Sequence, residues 1–587
     1  MIRIAAIACL LAAAAASQAA QPPTDLDYAI VRSIPVQDLG RWPPMDTLAR
    51  QTVETITGRR SFHDRDPMTW LLAWTFDPQR WAAEPLIPIA NAEVRRELEL
   101  PAEREVFSYD ELLAHQPLMA IIDSSRNLRG RKASPLETVV RRIGERLAAL
   151  QQVFTGQTIR LIPDPDDPIA PWRPIAPDQS PKSVIEAWSN LKTAFLTNDT
   201  EGFASASTEL DEALAALPAA HRPSPHRIAT ELTYNRVQPF RLAWIIMAAG
   251  TAISALTLAI RRPWAIWPAA IPLIAGFVLI TAGLWLRGQI AGRLPAANMY
   301  ESLLFVGWGT GLLAIVSMIV VRHRAVPLTA SAVGAAALML ADLTGMDAGI
   351  RPIAPVLLDT IWMSIHVPVI MVSYSVLALA VLLAHVQVVA MALVPSRRDF
   401  TARMDDLHYW YVLAGSLLLF VGIITGSMWA ASSWGRYWGW DPKEVWSLIA
   451  FLGYVTILHI RIEGARSRPW LPIALGVLAA AVIALTLAPF GRLTAWMIPA
   501  ALAMAAAVGL FMLPRGPLST AIKSIGAFWL VIMTYVGVNY VLGSGLHSYG
   551  FGTGAVVRWL FLAAAIDATL VIGAVLVCTV RRGSPQP

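Results

Sequence analysis

Cysteine is nearly missing from this chain: 587 residues contain two, Cys9 in the first apolar run and Cys578 in the last. Neither stands in a CxxC, which excludes a dithiol oxidoreductase, a c-type cytochrome and a thiolate zinc site. Charge is scarce as well. Asp, Glu, Lys and Arg make up 15% of the chain, against roughly 25% for a soluble domain. Hydrophobic residues reach 55% and the mean hydropathy is +0.51. The formal charge of +6 comes from arginines in short clusters between apolar runs, a topology signal rather than a nucleic-acid footprint. What remains is an all-α polytopic membrane protein.

Residues 1–20 combine one arginine, an Ala-rich apolar stretch and small residues near Ala19 and Ala20, the pattern of a secretory signal peptide. Residues 21–238 are polar and Pro-rich and hold no run long enough to span a bilayer. Apolar residues recur at helical spacing over 135–152 and 182–217, with a Pro/Asp linker at 162–181 between them, so this part reads as a mostly helical exported domain. Residues 239–587 differ. Apolar runs fall at 241–260, 264–286, 301–321, 326–342, 361–394, 409–430, 444–461, 470–488, 493–513, 521–543 and 555–580. Each can cross a core of about 30 Å, which takes roughly 20 residues, so about eleven spanning helices are expected.

With the first domain outside, alternate loops facing the cytoplasm hold Arg261–Arg262, Arg322–Arg324, Arg397–Arg403, Arg461–Arg468, Arg515–Lys523 and Arg581–Arg582. The positive excess thus lies inside, placing the protein in a bacterial inner membrane with its N-terminal domain periplasmic. The same topology puts the loops at about 431–446 and 544–554 outside.

The first of these loops, SSWGRYWGWDPKEVW (432–446), carries Trp434, Trp438, Trp440 and Trp446 among Gly435, Gly439, Arg436, Lys443 and Asp441. In a helical conformation Trp434 and Trp438 would be an i,i+4 pair and Asp441 would share the Trp438 face. An aromatic surface with one carboxylate and nearby cations suits a large planar ligand; an interfacial tryptophan belt is the plainer reading. Asp441 either anchors the loop, orients a basic group or takes a catalytic part. His366 begins a helix at its outer end, and His547 lies just past the outer end of another. Two neutral imidazoles flanking an aromatic platform can serve as axial ligands of haem iron. His459 and His385 lie deeper, roughly 22 and 28 Å along their helices. By itself His385 reads as a hydrogen-bonded packing histidine.

These residues carry a family resemblance. WGRYWGWDPKEVW resembles the tryptophan-rich WGxxWxWD signature of haem-handling membrane proteins. The continuation PKEVWSLI…LHIR, with IHVPVIMVSYS, NYVLGSGLHSYG and NMYESLLF (298–305), resembles the CcsA/ResC-type cytochrome c assembly protein of system II biogenesis, over about 298–560. The resemblance implies haem delivery across the membrane and covalent attachment to an apocytochrome c bearing CxxCH, as the haem-binding subunit of a haem lyase. It implies haem b held as substrate by His366 and His547, with His459 aiding haem entry. Arg436 and Lys443 are candidates to pair with the haem propionates, a charge-assisted contact. A ResB/CcsB-type membrane partner and thiol-reducing proteins are implied as well.

The chain departs from the family in an additional apolar hairpin at about 470–513 and in a front segment that does not look like the usual partner domain. The segment 34–52 resembles the start of front domains on some long members. The intramembrane histidine that a partner normally supplies is unassigned, with His385 a candidate substitute. The competing readings are a haem exporter without synthase chemistry, a system I-type haem-handling protein, and a haem-bearing electron-transfer subunit.

Overall fold

The computed structural model describes residues 22–126, 135–164, 167, 170–218, 222–258, 260, 262–320, 323–344, 346–352, 361–396, 398–461, 516–534 and 554–583. The expected signal peptide, the hairpin at 470–513, His547 and its loop lie outside the described residues. The chain divides into two compact units, Met1–Arg236 and Val237–Pro587.

The first unit is helical with two small antiparallel strand pairs. Its principal helices are α1 (Met45–Thr57), α2 (Pro67–Phe76), α3 (Pro135–Phe154), α4 (Lys182–Thr197), α5 (Thr200–Ala215) and α6 (Pro225–Val237). Caps fix the starts: the Asp66 carboxylate accepts from the Met68 amide ahead of α2, with Pro67 at the first position, where a missing N–H costs nothing. The helix expected over 182–217 is two helices. Asn198 takes a left-handed φ of 54° and the Asp199 side chain caps the restart by accepting from Gly202. Trp74, Phe107, Phe195 and Phe203 are fully buried in one apolar core. Within the segment 34–52, residues 34–44 fold back on themselves before α1, with the Val36 amide bonded to the Pro43 carbonyl and the Met45 amide to the Ile34 carbonyl. At its turn Arg41 makes a bidentate pair with Glu231, 2.8 Å at each contact, and Thr47 donates to the same carboxylate at 2.7 Å.

The second unit is α-helical among its described residues: α7 (Pro239–Thr257), α8 (Ile266–Ala291), α9 (Met299–Val320), α10 (Ala325–Leu343), α11 (Ile361–Leu393), α12 (Arg398–Trp434), α13 (Pro442–Arg461), α14 (Pro517–Ile532) and α15 (Gly554–Gly583). Among the described residues seven helices are long and apolar enough to span a membrane, and they coincide with the runs expected at 241–260, 264–286, 301–321, 326–342, 361–394, 409–430 and 555–580. This is an all-α polytopic membrane protein. Helix α13 forms where a span was expected, but Lys443, Glu444, His459 and Arg461 leave it more polar than those seven.

Lipid gives no hydrophobic drive between helices, so close approach and interhelical hydrogen bonds hold them. Ser373 of α11 donates to the Gly415 carbonyl of α12 at 2.9 Å, and Ser375 to the Val306 carbonyl of α9 at 3.0 Å. The motif 298–305 serves a similar end. Glu301, fully buried, accepts from Arg287 at 2.9 Å, from Arg293 at 3.2 Å and from the Ala297 amide at 2.6 Å. Arg287 also donates to the Ala348 and Gly349 carbonyls. A buried carboxylate is tolerable when paired in this way, and here it ties the ends of α8 and α9 to the segment after α10.

Candidate functional site

Helix α12 stops at Trp434 because Gly435 turns the chain into a left-handed φ of 71°, a conformation a side chain resists. Residues 435–441 form an irregular loop, and α13 begins at Pro442. The restart is a capping box. The Asp441 carboxylate accepts from the Lys443 amide at 3.0 Å. Glu444, three residues on, reaches back to the Asp441 amide at 3.1 Å and the Gly439 amide at 2.8 Å. Asp441 is buried and thus anchors the loop. Glu444 went unremarked in the sequence, although Asp-Pro-Lys-Glu before an apolar run carries the signature.

The helical Trp434/Trp438 pairing therefore does not form. Trp434 packs on Trp429, centroids 5.3 Å apart, and Trp438 meets Trp440 edge-on at 6.1 Å. Trp429 in turn faces the His366 ring at 5.8 Å and 31°. The tryptophans make two small clusters instead of one flat sheet.

His366 of α11 is the centre of this arrangement. Its Nδ1 lies 2.8 Å from the Gly422 carbonyl of α12. A carbonyl only accepts, so Nδ1 carries a proton and donates it. Gly426, one turn further on, leaves the space that the ring fills: a Cβ there would come within 2.7 Å of Cε1 and 3.0 Å of Nδ1. Orienting a ligating histidine through its other ring nitrogen is the usual way to present one to a metal.

A cleft opens beside this ring, with about 820 Å3 of space between its walls, open solvent at its mouth included. His366, Trp429, Trp438, Tyr437, Tyr374 and Lys443 are among its lining residues. Burial pushes the Lys443 ammonium down to about 8, opposed by the adjacent Asp441 carboxylate. Three of the residues singled out from the sequence, His366, Trp438 and Lys443, thus share one cleft. The others are elsewhere. Trp440 is 62% exposed, and the Arg436 guanidinium occupies the side-chain space of Gly439. Trp446 is half-buried outside the lining. His459 is exposed, bonded through Nδ1 to the Val455 carbonyl at 2.8 Å, and roughly 24 Å along α13 from Lys443. Trp429 is the lining residue that spacing arguments overlooked, because it lies inside an apolar run.

The cytochrome C assembly protein family matches residues 296–498, which takes in Glu301, His366, the tryptophan loop and His459. The cytochrome c biogenesis protein CcsA of Synechococcus sp. (strain CC9902) is 31% identical over 356 residues, covering 53% of this chain and 98% of its own. The chain belongs to the cytochrome c assembly family. The family match lies within the second unit, and one relative aligns over more of the chain. Protein NrfI of Wolinella succinogenes is 26% identical over 543 residues, 88% of this chain. The chain spans about half the length of NrfI, 53% of which is matched. A solved cytochrome c haem lyase CcmF aligns with 61% of this chain and 62% of its own at 17% identity and a TM-score of 0.33, too remote to bear on the chemistry.

Proposed function

We propose that this protein delivers haem across a bacterial inner membrane and holds it outside while two thiols of an apocytochrome c CxxCH segment add across the haem vinyl groups. The observation that carries this reading is the cleft lined together by His366, aromatic side chains and Lys443. An imidazole nitrogen is an iron donor, ring faces suit a porphyrin, and an ammonium suits a carboxylate. Haem b is substrate here, and it supplies the iron and the vinyl groups. The protein binds, orients and shields it. His366 is the ligand on one side, and His547 takes the other by family resemblance.

Each thioether bond adds S–H across C=C, so no oxidant is consumed, but both thiols must arrive reduced. That is the place for thiol-reducing partner proteins, and a ResB/CcsB-type membrane protein is the expected companion. Proximity and orientation supply most of the gain in such a step. Arg436 and Lys443 are the propionate partners in this proposal, Trp434, Trp438, Trp440 and Trp446 the aromatic contacts, and His459 lies on the entry route. Asp441 and Glu444 keep the loop in place.

The test replaces His366, His547 or both with Ala in the full chain, co-expressed with a CxxCH protein. Loss of the bound-haem spectrum and of covalent haem on the partner, partly restored by added imidazole, is the expected result. Normal attachment in the double variant overturns the reading. Normal haem binding in the native chain without any attachment, whatever the companion supplied, favours an exporter without synthase chemistry.

A further inference from the structure

A second histidine of α11, His385, lies nineteen positions beyond His366, well inside the span Ile361–Leu393. Its Nδ1 is 2.8 Å from the Val381 carbonyl and its Nε2 is 2.5 Å from Asp567 Oδ1 on α15. The other carboxylate oxygen, Oδ2, accepts from Trp529 Nε1 of α14 at 2.6 Å. Ionisable side chains at membrane depth are costly and mark function by default.

Counting protons settles what this cluster must contain. A carbonyl can only accept, so Nδ1 holds a hydrogen. Between Nε2 and Oδ1 a hydrogen is also needed; without it two lone pairs would face each other. That hydrogen belongs either to an imidazolium beside a carboxylate or to a carboxylic acid beside a neutral imidazole. Both forms carry one proton more than neutral His plus ionised Asp, and in both the pair has no net charge. With both ring nitrogens committed to oxygens, His385 is not presented to iron in this arrangement.

We propose that His385 and Asp567 bind one proton between them, and that this proton latches α14 and α15 to α11. Helix α15 needs such a tie. Phe561, Leu562, Ile566, Ile572, Leu576 and Val580 on it are exposed, facing lipid. Its inward seam is thin: Ala574 and Cys578 pack with Val381, Ala384, Val388 and Ala392 of α11 and with Ala521 and Ile525 of α14. The proton-bearing pair adds the polar bond at one end of this seam, and Arg581 bonds the Ala392 carbonyl at the other, 2.5 Å away. The remaining charged groups on the packed helices stand apart. Lys523 and Arg581 are roughly 9 and 21 Å along their helices from Trp529 and Asp567, and Asp405 of α12 accepts from Gln387. Losing the shared proton leaves the pair with a net negative charge and a single N–H between two acceptors in a low-dielectric seam, and α15 separates.

Cys578 provides the readout, since its buried thiol lies in that seam. The experiment uses the full chain in detergent or lipid with Cys9→Ser, and follows labelling of Cys578 by a membrane-permeant maleimide from pH 5 to 10. Asp567→Asn is the reference, because its amide donates to Nε2 without a shared proton, and rates are taken as a ratio to it at each pH. The native ratio should rise about tenfold towards alkaline pH, the worth of one charge-assisted hydrogen bond, and Asp567→Ala should label fast throughout. A native ratio flat across the range overturns the shared proton. Labelling of Asp567→Ala as slow as the reference overturns the latch.

Discussion

Two histidines on α11 receive opposite treatment. At the cleft, the His366 ring is held through Nδ1 by the Gly422 carbonyl and lines the same space as Trp429, Trp438 and Lys443. Deeper in the helix, His385 spends both nitrogens on oxygens. In the roles proposed above, the same side chain is a haem ligand in one place and a proton-bearing tie in the other. The difference lies entirely in what the neighbouring helices offer: α12 brings a glycine notch, α15 a carboxylate. Residue type alone says nothing about which role a membrane histidine plays; the second nitrogen decides.

The comparison can be broken most forcefully at the notch. Gly426→Ala places a methyl group against the His366 ring and should displace it without removing the ligand. A misplacement of about 1 Å at a reacting centre costs about a hundredfold, so covalent haem attachment should fall by about that factor while membrane abundance is unchanged. A variant that matures cytochrome c normally would show that ring placement does not matter. The corresponding Ala replacement at Gly573 of α15, which meets nothing within 4 Å, should be silent in the same assay.

A smaller effect separates the cleft by its charge. Lys443 is held down to about 8 by burial, so its cation is present below that pH and is lost as the pH rises through it. Haem retention should weaken about tenfold between pH 7 and 9, as a charge-assisted hydrogen bond fades. In Lys443→Gln retention should be low and flat over the same range. A parallel decline in both proteins would remove Lys443 from the contact. Haem titration followed by absorbance measures it.

The smallest effect distinguishes the tryptophans. Trp438 lines the cleft and Trp440 is largely exposed. An aromatic contact adds about 0.5–1.5 kcal/mol, so Trp438→Ala should weaken haem binding by several-fold and Trp440→Ala should do less. Equal losses would return the loop to the role of an interfacial belt.

Much of this was legible beforehand. Long apolar runs and arginine clusters mark a multi-pass chain because a bilayer demands both, and His366 stood out as an ionisable residue at the end of such a run. Gly422 and Gly426 could not be read that way, since a glycine in an apolar helix signals close packing without naming its neighbour. The Trp434/Trp438 pair was expected on a helix that Gly435 ends. Asp567 was invisible as a partner of His385 because 182 residues separate them and only helix packing joins them. Glu444 is the instructive omission: its capping-box spacing lay in plain view, hidden among tryptophans that drew attention to ring chemistry.

The bidentate contact between Arg41 and Glu231 spans 190 residues of chain. Such a contact is a matter of timing as well as of strength. Long-range contacts are late because the intervening loop must first be ordered, and segments made earlier can fold as units during synthesis. The first unit can assemble most of its core while the chain is still emerging, but its clasp waits for Glu231, eight positions before Pro239 begins the first spanning helix. Closure of the first unit and arrival of the first membrane segment are thereby near-simultaneous events, and a change at Arg41 would be felt as a delay at that handover.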